Sequence, residues 1–577
     1  MENLLEYTTI GVYLCFLVGI GFIFSRMSKN ISDFVRGGAQ GTWWMVGTST
    51  LMAGISAFTF TGNAGAAYDA GFSPLIIYIG NCSAYLIAGL FLAKWFRRTR
   101  AVTVPDIIRR RFGPEVEQFN VYQSIFLAPF GSAIQLMALA LFTSAIFGFP
   151  LKITIVVIGT VVVLYSTTGG RWAVMATDFF QSLIMVPITI LVAYFCLKEV
   201  GGIGGFIDNF SRPDLVDDFK FFHKAGDWPT DRFSPKWMIV IFLSTIFYQM
   251  YLTNASRYLS VKDDKEATKS AWLSMVMMGI GALIWFIPPM VARMEFSADV
   301  QALTNIDNPS EAAYAVVALK LLPNGLMGIL VVAMFAATMS SMDTGLNNLT
   351  GSIVKNMIPP LLRLTRIKKM SNKAELLTCK LVTVLLGVLI VTISLALATQ
   401  KEIQLFDMYL IIGAVVGIPI GIPFLFAMYF RRLPRWSYFW IFGWSMVPTL
   451  IAHFDAAVWT IQDRMTWVFI AAFVSAFASM PFYKYSTKEY KDRVDDFFAD
   501  LNRPIDFEKE VGKGNDYAQL NMMGNVSVAG GLFLSVLLLV PNPIGGRMAV
   551  LFVCGTVTLV GALLKWAAAR EKRKVKD

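Results

Sequence analysis

Runs of about 20 apolar residues, each closed by charge or turn residues, recur about fifteen times along the 577-residue chain. A helix needs about 20 such residues to cross the hydrocarbon of a bilayer, where it satisfies every backbone group internally. The runs are approximately 8–24, 43–66, 75–96, 120–147, 152–167, 172–197, 237–258 and 271–292. They continue at 324–353, 378–398, 405–430, 437–453, 466–482, 525–541 and 544–566. With 56% of residues hydrophobic and 15% charged, too little polar surface remains to wrap a soluble globule of this length. The expectation is an all-α, polytopic membrane protein whose first partner is the lipid bilayer.

Basic clusters alternate with the runs: Arg26/Lys29/Arg36, Arg97/Arg98/Arg100 with Arg109/Arg110/Arg111, Arg171, and Arg257/Lys262/Lys265/Lys269. Further clusters follow at 363–373, 431–435 and 484–493 and in the tail from Arg570. Under the positive-inside rule they share one side only if the span count is odd and the N-terminus is outside. The net charge of +11 is then a topology signal, and no nucleic-acid partner is expected. A multi-pass protein of the plasma (inner) membrane fits. The first run has acidic flanks, Glu2 and Glu6, and no small-residue cleavage site, so it reads as a retained helix. Loops at about 198–236, 293–323 (outside) and 483–524 (inside) are too short for a catalytic domain. Five scattered cysteines and two histidines supply neither a disulfide framework nor a zinc or haem site. No GxxxxGK[ST] loop and no nucleophile–base set is visible, so neither an ATP-driven pump nor an enzyme is expected, and no obligatory protein partner is evident.

The polar chemistry concentrates in GGRWAVMATDFFQ (169–181) and FAATMSSMDTGLN (335–347). They place Asp178 and Asp343 within apolar helices, the second among the hydroxyls of Thr338, Ser340, Ser341 and Thr344. An ionisable group inside a membrane span is costly and marks a functional site by default. Carboxylate and hydroxyl oxygens without imidazole or thiolate suit a hard cation. The second span, TLMAGISAFTFTGNAG (50–65), is interrupted by Gly54, Gly62 and Gly65, either for close helix packing or for an unwound stretch offering carbonyl oxygens. The seventh, LSTIFYQMYLTNASRYLS (243–260), carries Tyr248, Gln249, Tyr251 and Asn254. If spans two to six and seven to eleven are two repeats, five is odd and the repeats are inverted. Interrupted helices at matching positions then point to a midplane binding site.

GGRWAVMATDFFQ resembles the signature of the sodium:solute symporter family, which includes sodium–sugar, sodium–proline and sodium–sialic acid carriers. The resemblance runs from about 40 to 430 and includes WWMVGTSTLMAGISAFTFTG (43–62), TVPDIIRRRFG (103–113), RYLSVKD (257–263) and LLPNGLMGILVVAMFAATMSS (321–341). It implies a leucine-transporter-like 5+5 inverted repeat in one integral membrane domain, 1–577. The transport core would be 43–430, with peripheral C-terminal helices at 437–566. It also implies sodium as the coupling ion, held by the carbonyls of Met52, Ile55 and Ala337 and the hydroxyls of Ser340 and Ser341. Some members hold a second sodium ion near the threonine-aspartate pair, here Asp178 with Asp343 or Thr344. Asp343 stands where such members can carry a hydroxyl. For Asp178 a structural role, capping or pairing near Arg171, is the alternative.

The small-molecule substrate is read from what the helices offer. Sugar carriers of the family use a glutamine in the second span and a glutamate in the third. The matching neighbourhoods here hold Thr59 and the run LIIYIG (75–80), and the fourth span has no Arg or Lys within 123–142. What remains is neutral: Thr59, Asn63, Tyr78, Asn81, Gln135, Tyr248, Gln249, Tyr251 and Trp285. The expectation is a secondary active symporter that couples inward sodium flow to uptake of a neutral polar solute, a sugar or polyol, by alternating access. A proton-coupled carrier or a transceptor-type solute sensor of the same fold is the alternative. A channel would need a continuous polar ring, which isolated carboxylates do not make.

Overall fold

In a computed structural model, the described residues are 30–167, 170–250, 255–303, 306–364, 370–400, 404–413, 417–454 and 459–574, with residues 6, 8–11, 13, 15, 16, 19 and 20 of the first run. Among them every regular element is helical, apart from one bridge between Gly41 and Val261. The first half comprises α1 (Trp43–Ala53), α2 (Gly62–Ala70), α3 (Ser73–Arg98), α4 (Val104–Phe112), α5 (Pro114–Phe147), α6 (Leu151–Ser166) and α7 (Arg171–Glu199). The second comprises α8 (Pro235–Tyr248), α9 (Ala255–Tyr258), α10 (Asp264–Glu295), α11 (Leu326–Arg363), α12 (Asn372–Leu397), α13 (Leu405–Ile412) and α14 (Ile418–Tyr429). Then follow α15 (Ser437–Phe454), α16 (Ile461–Tyr485), α17 (Lys488–Asn502), α18 (Asp516–Leu539) and α19 (Ile544–Arg573).

Nine of the described helices, α3, α5, α7, α10, α11, α12, α16, α18 and α19, are long and apolar enough to cross a membrane. The expected span 43–66 is divided into α1 and α2, while 237–258 and 405–430 include residues 251–254 and 414–416, which lie outside the described residues. Glycine explains the division of 43–66. Gly54 closes α1 with its N–H on the carbonyls of Thr50 and Leu51. Ser56 then caps a 3-10 turn, Ala57–Phe60, that leads into α2. The freed Ala57 N–H finds Thr338 Oγ1 of α11 at 2.9 Å, so the break is satisfied from the neighbouring helix and not by water. Small residues also let α1 lie close against α10: a Cβ on Gly47 would sit 3.0 Å from the Ser270 carbonyl, and Ser274 Oγ donates to the Gly47 carbonyl at 2.8 Å.

The apolar stretch of α11 is buried along its whole length, whereas α12 turns Leu381, Leu385 and Val388 outward. A helix enclosed by protein can carry hydroxyls and a carboxylate that lipid would reject, and α11 carries those of the 335–347 motif. The basic loops, expected to set orientation, also make defined contacts. Arg98 pairs with Asp264 at 2.7 Å and Arg100 with Glu510 at 2.7 Å. Arg111, fully buried, donates to Tyr490 of α17 and to the carbonyls of Ala427 and Phe430. The polar helix α17 is thereby fastened beneath α4 and the end of α14. The last two helices, α18 and α19, pack mainly on each other and touch α7.

Candidate functional site

Two oxygen clusters form where α11 passes the break between α1 and α2. In the first, Ser341 Oγ lies 2.5 Å from the Ile55 carbonyl oxygen, 3.1 Å from that of Ala337 and 3.3 Å from that of Met52. A hydroxyl has one hydrogen, so at least two of these carbonyls face its oxygen with no proton between. Such a convergence of lone pairs is repulsive until a cation sits among them. Ser340 Oγ is buried and has no hydrogen-bond partner among the described residues. The break at Gly54 is what turns the Met52 and Ile55 carbonyls toward α11. Four of the five residues expected at the sodium site, Met52, Ile55, Ala337 and Ser341, meet here, and the Ser340 hydroxyl lies toward Asp178. No group of three or more His, Cys, Asp or Glu able to hold a metal occurs among the described residues.

The second cluster is one turn away. Asp178 Oδ2 on α7 accepts from Ser49 Oγ and lies 3.2 Å from Arg257 Nη2 on α9. Arg257 also donates to Ser49 Oγ and Thr344 Oγ1, and Thr344 donates to the Ser340 carbonyl at 2.8 Å. Asp178 and Arg257 have no solvent exposure, and Asp178 Oδ1 has no hydrogen-bond partner among the described residues. The structure therefore joins Asp178 and Thr344, but through a guanidinium. Asp343 is bonded instead to the Ser166 hydroxyl of α6. Arg171, the partner considered for Asp178, serves another purpose: its Nε donates to the Val35 carbonyl at 3.0 Å and its Nη2 to Asn348 Oδ1 at 2.7 Å.

Of the residues expected to meet the solute, Gln135 and Tyr248 line a cavity of about 140 Å³. It reaches from Val104, Pro105 and Asn120 to Ser341 and Thr344, so it borders the first oxygen cluster. None of its lining residues is charged. Asn63 Nδ2 donates to Tyr78 OH at 2.9 Å, and Asn63 Oδ1 and Gln135 Oε1 are buried acceptors without partners among the described residues. Gln249 Nε2 donates to Tyr85 OH at 2.7 Å, and Thr59 and Asn81 are buried. Trp285 packs edge-on against Phe60 and Tyr78. Tyr251 and Asn254 lie outside the described residues. Tyr409 of α13 packs at a tilt against Phe58 at 4.7 Å and meets Tyr248 at 6.0 Å between ring centroids.

Ser49, Tyr85, Arg257 and Tyr409 were not expected here. Arg257 stood in a basic cluster read only for orientation, although RYLSVKD put it in a family motif. Gly54 ties the two regions together, because a Cβ there would lie 2.8 Å from Tyr85 OH and 3.0 Å from Gln249 Nε2. Gly54→Ala is expected to separate that pair and cost about 1–3 kcal/mol by overpacking. Solute half-saturation should worsen more than thermal stability falls, read by uptake kinetics alongside melting. Equal loss in both would mark the glycine as packing only.

A membrane protein whose described residues form helices, one of them broken, with buried oxygens gathered at the break and a polar cavity beside them, has the make-up of a carrier. The chain belongs to the sodium:solute symporter family, whose model matches residues 34–441. Sodium is accordingly the coupling ion. Among curated proteins the chain is similar to sodium/glucose cotransporter 1 of Ovis aries, 25% identical over 486 residues that cover 76% of this chain and 70% of that protein. It is also similar to the sodium/sialic acid symporter NanT of Aliivibrio fischeri, 23% identical over 440 residues, covering 74% of this chain and 83% of that one. A solved structure of a sodium-coupled sialic acid symporter, substrate-bound and outward-open, shares the fold with a TM-score of 0.72 at 20% identity, over 84% of this chain and 99% of that one.

Proposed function

We propose that this protein carries a neutral polar solute, a sugar or polyol, inward across the plasma membrane together with sodium, by alternating access. The observation that carries the reading is the cavity whose lining has no charged side chain yet touches Ser341, the hydroxyl on which three carbonyl oxygens converge. Sodium bound there would tie α11 to the α1–α2 break beside the solute cavity, so each ligand would favour the conformation that the other needs. The names of the relatives divide between glucose and sialic acid. An acid would be expected to meet a fixed cation, and α5 has no Lys or Arg.

In this reading Met52, Ile55, Ala337, Ser340 and Ser341 hold the coupling ion. A second ion at Asp178, Asp343 and Thr344 would have to compete with the Arg257 guanidinium already seated there. The chain would have about fifteen spans with its N-terminus outside, a transport core over 43–430 and peripheral helices over 437–566. The test is uptake into proteoliposomes from a panel of hexoses, polyols and sialic acid under sodium, lithium or potassium gradients. Sodium-driven accumulation of a neutral member is expected. Accumulation of the acid alone would overturn the solute class, and uptake indifferent to any cation gradient would overturn the coupling.

A further inference from the structure

We propose that Glu311 is a proton-sensitive latch that holds the outer gate shut. It lies in the 3-10 turn Pro309–Ala312 of the loop before α11, and only 3% of it is exposed. One of its carboxylate oxygens accepts from the Leu405 N–H at 2.5 Å, the first residue of α13. The residue before it, Gln404, makes no side-chain cap to that helix, so Glu311 supplies the cap from a different element. One turn along α13 comes Tyr409, the ring that packs at a tilt against Phe58 and meets Tyr248 of the cavity lining. The turn that holds Glu311 is pressed against α2, where a Cβ on Gly65 would sit 3.2 Å from the Glu311 backbone. Glu311 thus joins α2, which follows the break, to α13, which bears Tyr409.

Among the described residues, the charges around it do not neutralise it. Asp69 faces it from α2 and Asp407 from α13. Arg232, stacked on Phe406, lies 3.7 Å from Asp407, and Arg293 of α10 is engaged with Asp218 at 3.1 Å. Asp307 and Lys152 line the same outer cavity as Glu311. Among the described residues no cation lies within ion-pair distance of its carboxylate. Burial, opposed by the Leu405 N–H and reinforced by Asp407 and Asp69, pushes the Glu311 carboxyl up from 4.5 to about 8.

Once the turn swings away and the carboxyl meets water, its ordinary range returns. The closed gate therefore binds the proton more tightly than the open one. Closure is fully supported below about pH 4.5, and that support is lost as pH rises through about 8. Between those limits the closed-to-open ratio falls by up to about tenfold per pH unit.

The test uses the full-length protein in nanodiscs at constant sodium without solute. Amide hydrogen exchange of 306–321 and 405–412, corrected for intrinsic rates, is followed from pH 5.5 to 8.5. In the wild type, protection of both segments should fall by at least about tenfold over this range. Glu311→Gln, a neutral stand-in for the protonated acid, should stay protected throughout, and Glu311→Ala should be unprotected throughout. A wild type whose protection does not change with pH overturns the latch, and so does a Gln variant that keeps the wild-type response. If the Ala variant fails to fold, the Gln comparison still decides. The inference rests on alternating access for what the gate does. The measurement needs neither a solute nor an ion gradient, so its failure is distinguishable from failure of the transport reading.

Discussion

Asp178→Asn is expected to destabilise the protein by about 3–5 kcal/mol, because it leaves the Arg257 guanidinium buried without its carboxylate. Arg257→Gln does the same from the other side by leaving Asp178 charged and unpaired. The two together restore at least half of the loss, since neither buried charge remains and both amides can still bond to Ser49 and Thr344. Thermal unfolding of the four proteins in one detergent, at fixed sodium, measures this directly. Were Asp178 held chiefly by a bound cation, its Asn variant would lose sodium response with little loss of stability, and adding Arg257→Gln would make matters worse. The 3.2 Å contact between two side chains with no solvent exposure argues for the first outcome.

The same pair shows where reading residues in a line stops. Orientation rules weigh every arginine in a short loop alike, so Arg257 and Arg171 counted with Lys262 and Lys265 as inside charges. Only their burial separates them: both have no exposure, and their donors go to Ser49, Thr344, Val35 and Asn348. Asp343 is a different case. Residues follow one another about 100° apart around a helix, so Asp343 looks well away from the side that Ser341 and Thr344 share. That rotation was legible in the motif. Its consequence, a bond to Ser166 and not to the Asp178 cluster, needed the position of α6.

What the sequence did carry was the break. Gly54 with Ser56 and Thr59 in an otherwise apolar run left two readings, packing or unwinding, and the cap at Ser56 with the Ala57 bond to Thr338 realises the second. Tyr409 had no comparable signal, because one more aromatic ring in a span looks like any lipid-facing or packing residue. Its place against Phe58 goes with the start of α13, where Glu311 holds the Leu405 N–H.

Ser340→Ala combined with Ser341→Ala is expected to raise the sodium concentration for half-maximal uptake by at least about tenfold. Contacts between a hydroxyl and a charged group are worth about 1.5–3 kcal/mol each, and about 1.4 kcal/mol is a factor of ten. The fold should tolerate the change, because alanine is the better helix former and neither hydroxyl is exposed enough to need water. The carbonyls of Met52, Ile55 and Ala337 stay in place in the variant, so residual sodium binding is weakened and not abolished. Melting temperature offers a reading independent of the solute. A ligand that binds only the folded state stabilises it in proportion to the logarithm of its concentration. Sodium should therefore raise the wild-type melting temperature across a range in which the double variant does not respond. The single variants separate the two oxygens: Ser341→Ala removes the hydroxyl on which the three carbonyls converge, and Ser340→Ala removes the one without a partner. An unchanged sodium half-saturation in the double variant would place the coupling ion elsewhere. With Arg257 already balancing Asp178, no second cluster among the described residues offers it so many uncommitted oxygens.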